Sequence, residues 1–190
     1  TALFLARQAV QSGAVECVLA LGFEQMTPGA LGTHFNDRPS PFERFDDETE
    51  ALVGHGEIPL ALRYFGGAGA AHMAQYGTRL ETFAKIRAKA SRHAEHNPMA
   101  LFRKLVTEDD VMASPMLWSG VMTRLMACPP TCGAAAAVLC TPAFAQRHGI
   151  DASVRIRAQA MTTDRPATFE ARDMRELVGV GMAQAAADQV

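Results

Sequence analysis

Thr1-Ala-Leu-Phe-Leu-Ala-Arg-Gln-Ala-Val10, then Ser12-Gly13, then Glu16-Cys-Val-Leu-Ala-Leu-Gly-Phe23 is the stretch that decides the fold class. Residues 2 to 11 are apolar on nearly every side at their start, the pattern of a core helix. Ser12-Gly13 supplies the expected helix stop. Residues 16 to 23 form a continuous apolar run of strand length, which fits a strand buried on both faces. Helix, glycine turn and buried strand make half of an α/β unit. A chain that opens in mid-helix without Met also reads as an internal piece of something longer.

Outward from that unit, residues 24 to 56 carry Pro28, Pro39, Pro41 and the acidic patch around Glu43, Asp46, Asp47, Glu48 and Glu50. No periodicity is evident there, and the reading is a long loop. From Ile58 to Lys104 the period becomes helical. Thr78 and Glu81 have capping-box spacing, and Pro98 ends that helix by about His96. Thr107 and Asp110 open a short helix that Pro115 closes. Ala134-Ala-Ala-Ala-Val-Leu-Cys140 has alanine's helical preference, but its place between a Thr-Cys-Gly turn and the Thr141-Pro142 helix start favours a buried strand. Pro142 to His148 reads as a helix ended by Gly149, Ser153 to Met161 alternates as a half-exposed strand, and residues after Thr163 read as loop until a helix begins near Met182.

Of the 190 residues, 48% are hydrophobic and 20% charged, with a net charge of −2. This excludes disorder and leaves no basic field for nucleic acid or an anionic membrane. No apolar run reaches the length of a membrane span, and no leader pattern precedes the first helix. Cys17, Cys128, Cys132 and Cys140 are too few for a disulfide framework, so reduced thiols in a cytoplasm are expected. Cys17 and Cys140 read as small hydrophobes in buried strands. Cys128-Pro-Pro-Thr-Cys132 lacks a second ligand pair for zinc, and His93-Ala-Glu-His96 lacks the spacing of a zinc hydrolase. Gly67-Ala-Gly69 does not follow a strand, so it is no dinucleotide fingerprint. His34, His55, His72 and His148 are scattered. No nucleophile elbow or Walker loop is present, and no catalytic constellation is complete.

The ordered set of Thr1-Ala-Leu-Phe-Leu-Ala-Arg-Gln, Glu16-Cys-Val-Leu-Ala-Leu-Gly-Phe-Glu-Gln-Met26, Phe65-Gly-Gly-Ala-Gly69, His72-Met-Ala-Gln-Tyr-Gly-Thr78, His96-Asn-Pro98, Asp110-Val-Met-Ala-Ser114, Gly133-Ala-Ala-Ala-Ala137 and Val178-Gly-Val-Gly-Met182 resembles the thiolases. The likeness is to their sterol carrier protein X, or lipid-transfer-protein, branch, and it runs collinearly along nearly the whole chain. The resemblance implies an α/β fold with layered α-β-α-β-α architecture, incomplete here, with an inserted, mostly helical loop domain. It implies residues 1–26 as the second part of the N-terminal half, 27–116 as the loop domain covering coenzyme A, 117–150 as the return to the N-terminal half, and 151–190 as the start of the C-terminal half. The strand near Cys17 and the strand near Val138 would share one sheet.

The implied activity is acyl transfer on acyl-CoA thioesters, 3-ketoacyl-CoA cleavage or condensation in lipid or sterol side-chain metabolism. Coenzyme A thioester is substrate there, and no resident cofactor is expected. The family's nucleophilic cysteine, favoured as thiolate by a helix N-terminus, would lie upstream of Thr1, and its histidine and second cysteine beyond Val190. No catalytic residue is therefore expected within the chain. Tyr64 and Phe65 fall where degradative thiolases line the pantetheine path, Cys128 falls where they have a pantetheine-contacting serine, and Gly133 opens the glycine-alanine stretch. These four are the candidate substrate-binding residues, and Cys132 stands where an aspartate is expected. The parent is expected to be a cytoplasmic homodimer or homotetramer, with an accessory subunit open. The alternatives are a non-catalytic thiolase-like protein that binds CoA thioesters or serves as a partner subunit, and an inactive truncation that melts with low cooperativity.

Overall fold

A computed structural model describes residues 1–27 and 37–190. In chain order the elements are α1 (Ala2–Gln11), β1 (Cys17–Glu24), α2 (Glu43–Val53), α3 (Leu60–Tyr76), α4 (Leu80–Glu95), α5 (Glu108–Ala113), β2 (Met116–Trp118), β3 (Met122–Thr123), a 3-10 turn (Arg124–Met126), β4 (Gly133–Cys140), α6 (Pro142–His148), α7 (Ala167–Glu170), α8 (Met174–Leu177) and α9 (Val180–Ala187). Helix and sheet are mixed, as the sequence implies. The chain divides into two compact units, residues 1–27, 131–163 and 182–190, and residues 28–130 and 164–181.

The first unit is built on an antiparallel pair. β1 lies against β4 from Cys17↔Cys140 to Glu24↔Gly133. The alanine run is thus a strand, because eight consecutive cross-strand partners outweigh alanine's helical preference. α1 packs on the face that carries Val18 and Ala20, and Ala6 and Ala20 are buried there. The expectation of a strand buried on both faces is corrected. Leu19, Leu21 and Phe23 are exposed, Phe23 to 77%. The all-round apolar start of α1 is likewise not a core helix in this unit, since Leu3 and Leu5 are exposed. One helix over two strands covers one face only. Residues 153–161 are not a strand either, and Val154 is 92% exposed. Alternation specifies a strand only where a partner strand supplies its hydrogen bonds, and β1 and β4 pair with each other.

The start of α6 is fixed by Thr141, whose side chain accepts from the Phe144 amide at 3.1 Å, with Pro142 in the first turn. Gly149 ends it with φ 63°, a left-handed cap that glycine adopts without strain.

The second unit is mostly helical. α2 lies in what reads from sequence as a loop. Its inner face is Phe45, Thr49 and Val53, spaced by four residues, and the threonine at its centre hides the apolar period. Thr49 is fully buried, and Phe45 meets Phe169 of α7 edge-on at 4.9 Å. The Thr78–Glu81 box does not form. Arg79 occupies the N-cap of α4, and its Nη2 pairs with Glu81 Oε1 at 2.8 Å. The Thr107–Asp110 box does form: Thr107 Oγ1 accepts from the Asp110 amide at 3.1 Å, and Asp110 Oδ2 accepts from the Thr107 amide at 2.8 Å. Ser91, fully buried in α4, accepts from the Val106 amide at 3.2 Å and so ties the loop after α4 back to that helix.

Residues 164–181 are not loop throughout, since they hold α7 and α8. Asp173 caps α8 by accepting from the Arg175 amide at 2.8 Å, and it forms an ion pair with the Arg175 guanidinium. That guanidinium is the main reason its carboxyl sits below the ordinary carboxylate range, against the opposing pull of burial. The depressed value means stabilisation that is complete above the unfolded carboxylate pKa of about 3.9 and is lost as pH falls through the lower folded value. Asp173→Asn is therefore expected to lower Tm at neutral pH, and the difference from the unsubstituted chain should shrink as pH is taken down from about 5. Melts recorded across that range check this, and a difference independent of pH would refute it.

Candidate functional site

Within the helical unit, α3 presents five consecutive residues, Arg63 to Gly67, to its neighbours. Arg63 and Tyr64 face the α2 side, Phe65 faces α4 and the turn after β3, and Gly66 and Gly67 allow close approach. A Cβ on Gly66 would stand 2.5 Å from Trp118 Cε3, and one on Gly67 would stand 3.0 Å from both Met174 Cε and Val53 Cγ1. The glycines sit inside α3 and not in a turn between a strand and a helix. Their absent side chains let the indole and the thioether lie against the backbone.

The Tyr64 hydroxyl is hydrogen-bonded to the Asp46 carboxylate. Burial first, and then that carboxylate, push its pKa well above the ordinary phenol value. Tyr64 is thus a neutral clamp between α2 and α3. Arg63, 9% exposed, donates from Nη1 to the Gly54 carbonyl at 3.1 Å, and its Nη2 lies 3.5 Å from Glu50 Oε1.

Phe65 is 65% exposed and forms one wall of an open groove of about 300 Å³. Gly66 and Gly69 of α3, Phe83, Ile86 and Ala90 of α4, and Val121, Met122 and Met126 complete the lining. Arg87 is its only charged residue, and it has no ion-pair partner among the described residues. An apolar trough with one guanidinium suits a molecule with an apolar body and an anionic group. Trp118 does not line the groove itself but packs against Gly66, which does.

The candidate residues of the helical unit, Tyr64, Phe65 and Cys128, do not converge. Tyr64 and Phe65 are neighbours on α3 but face different ways. Cys128 is exposed after the 3-10 turn and does not line the groove. Gly133 opens β4 opposite Glu24 in the other unit. Cys132, where an aspartate is expected, accepts from the Met26 amide through Sγ at 3.2 Å and so finishes the β1–β4 end as a carboxylate could. Cys17 and Cys140 are half-buried rather than fully enclosed. His93 and His96 are exposed at the end of α4, and among the described residues no group of three or more His, Cys, Asp or Glu could hold a metal ion. His34 lies outside the described residues. Asp46, Arg87 and Trp118 are functional-looking contacts that sequence reading misses. The only prior signal is that Trp118 is the single tryptophan.

No family model matches the chain. Individual proteins do. Sterol carrier protein 2 of Homo sapiens is 44% identical over 188 residues, 98% of this chain and 34% of that protein. Sterol carrier protein 2 of Gallus gallus is 40% identical over 190 residues, 100% of this chain and 35% of that protein. An acetyl-CoA acetyltransferase of Methanothermobacter thermautotrophicus is 32% identical over 166 residues, 87% of this chain and 40% of that protein. The resemblance read from the sequence is thereby shown in its homologues: the chain is homologous to the sterol carrier protein 2 sequences, which are thiolase-like, over nearly its whole length, and it spans about a third of theirs. No helix among the described residues is long and apolar enough to cross a membrane.

Proposed function

We propose that this chain is part of a thiolase-type acyltransferase that handles acyl-CoA thioesters, and that its contribution is to bind the substrate. The layered five-tier architecture, the division into 1–26, 27–116, 117–150 and 151–190, and a nucleophilic cysteine upstream of Thr1 belong to the same proposal. The observation that carries it is the groove beside Phe65. Its apolar walls match an acyl or pantetheine chain, and the Arg87 guanidinium matches an anionic group of the same molecule. Support comes from relatives named for acetyl-CoA acetyl transfer and for lipid transfer. Tyr64 serves by holding α3 in place, and Cys128 and Gly133 are proposed to contact the substrate in the complete protein. The complete protein is proposed to be cytoplasmic and to assemble as a homodimer or homotetramer, with no resident cofactor.

Titration with a medium-chain acyl-CoA, followed by Trp118 fluorescence, tests the binding. Saturable quenching is expected, and Phe65→Ala should weaken it about tenfold, because a ring two-thirds exposed in the free chain has most of its area still to bury. Absence of saturable binding would refute the assignment of the groove. The second reading is lipid binding without catalysis, favoured by relatives named as carriers and non-specific lipid-transfer proteins. Acyl-enzyme trapping on the complete protein separates the two. A covalent acyl group retained through acid denaturation supports the transferase, and reversible binding alone supports the carrier.

A further inference from the structure

We propose that Cys17 and Cys140 form a cross-strand dithiol that closes reversibly to a disulfide by exchange with a low-molecular-weight disulfide such as oxidised glutathione. The two residues are direct partners across the antiparallel β1–β4 pair, and both thiols are free. The phase of the ladder is set one residue further out, where the Thr141 amide donates to the Glu16 carbonyl at 2.9 Å. Glu16 and Thr141 are therefore a hydrogen-bonded pair. Pairs alternate along an antiparallel ladder, so Cys17 and Cys140 are a non-hydrogen-bonded pair, the type with Cα atoms about 4.5 Å apart and side chains closest together. Directly opposed residues point to the same side of the sheet. This side also carries Leu19, Leu21, Phe23 and Val138, all exposed, so it is the side α1 leaves open. In the 190-residue chain a small disulfide can therefore reach the half-buried thiols.

The exchange proceeds in two displacements. The thiolate of one cysteine attacks a sulfur of the small disulfide. That S–S bond breaks, a mixed disulfide forms on the protein, and one small thiolate leaves. The thiolate of the second cysteine then attacks the protein sulfur of the mixed disulfide and expels the second small thiolate. Two protein thiols are oxidised, one disulfide is reduced to two thiols, and the two protons lost by the protein end on those thiols. A Cα separation near 4.5 Å falls within the range of disulfide geometry, about 4.4–6.8 Å, so the bridge can close with little backbone movement. Its oxidation state then follows the thiol–disulfide balance of its surroundings. The pair thus stays reduced in a reducing compartment and closes under oxidative load, stapling β1 to β4 across a loop of more than a hundred residues. The inference does not depend on the acyl-CoA reading, since none of its residues lines the groove.

The test is incubation of the 190-residue chain with oxidised glutathione, followed by peptide mapping and melting. The expected product is a monomer that has lost two titratable thiols, with the Cys17 peptide linked to the Cys140 peptide. Its Tm should be higher by roughly 10 °C, as closing so long a loop predicts, and dithiothreitol should reverse the change. Cys17→Ser and Cys140→Ser should each abolish the link, and Cys128→Ser should leave it. Three results would overturn the proposal: glutathione adducts on Cys17 or Cys140 without a link, a major product linking Cys128 or Cys132, or equal yield of the link in denaturant. A bridge that left Tm unchanged would remove the stapling role.

Discussion

Gly66→Ala is expected to destabilise the helical unit by about 2 kcal/mol. In a helix interior the change from glycine to alanine normally stabilises, by roughly 1 kcal/mol, so the sign here is set wholly by the surroundings. The new methyl carbon would stand 2.5 Å from Trp118 Cε3, 2.7 Å from Cζ3 and 3.4 Å from Met122 Cε. The indole is a rigid plate and cannot yield by bending. It must rotate or move outward, and Met122, which is buried, must move with it. Overpacking of this kind costs about 1–3 kcal/mol, and a clash below 3 Å belongs in the upper part of that range. Trp118 is the only tryptophan, so its fluorescence reports the displaced ring directly. A red-shifted native spectrum and a Tm lower by about 5 °C are expected. An unchanged spectrum with a raised Tm would show that the ring does not lie on Gly66. Because the indole packs on Gly66 and Gly66 lines the groove, the same substitution should also weaken the fluorescence response to acyl-CoA.

Met174→Ala is expected to have a larger effect, about 3 kcal/mol. Met174 is 4% exposed, and its Cγ and Cε lie 3.1 and 3.0 Å from where a Gly67 Cβ would be. The thioether thus lies directly on the α3 backbone. Truncation leaves a cavity that a backbone cannot collapse to fill. The effect should be local before it is global. Met174 anchors α8 together with Leu177, which is 5% exposed, and Arg175, 5.6 Å from the Tyr76 ring; Phe169 against Phe45, Arg44 3.8 Å above the Phe169 ring and Arg172 paired with Glu48 at 3.8 Å fasten residues 164–181 further. Several of these contacts are partly exposed. Early tryptic cleavage after Arg172 or Arg175 in the variant, well before cleavage within α4, is the expected result. Simultaneous loss of all segments would show that 164–181 is integral to the unit and not a separately released strap.

Which features are legible in the sequence follows from which interactions are local. The bounds of α1, the Thr107–Asp110 cap, the Thr141-Pro142 start of α6 and its stop at Gly149 are written within a few residues of where they act. The pairing of the Cys17 strand with the Val138 strand is non-local, and it came only with the resemblance to thiolases. α2 escaped notice because Thr49 occupies the centre of its buried face, where an apolar residue would have shown the period. α7 and α8 escaped because each is four residues long and held by distant contacts, Phe45 on one and Gly67 on the other. Residues 153–161 alternate correctly but have no partner strand among the described residues. At the candidate site, Phe65 lines a groove whose other walls come from α4 and from residues 121–126. The Asp46 carboxylate that holds Tyr64, and the Arg87 guanidinium, carry no sequence signature, because their roles come from helix packing.

The β1–β4 pair also sets an order of events at the ribosome. Met26 and Cys132, at the closed end of the ladder, are 106 residues apart. At synthesis rates of roughly 5–20 residues per second, β1 emerges about 5–20 s before its partner. Throughout that interval its edges are unpaired and Leu19, Leu21 and Phe23 have no strand beside them. The helices between the two strands, α2 to α5, have time to form their mainly local contacts first, whereas α7 and α8 are synthesised only after β4. A nascent chain arrested before residue 133 should therefore hold chaperone at β1, and one extended past residue 140 should release it.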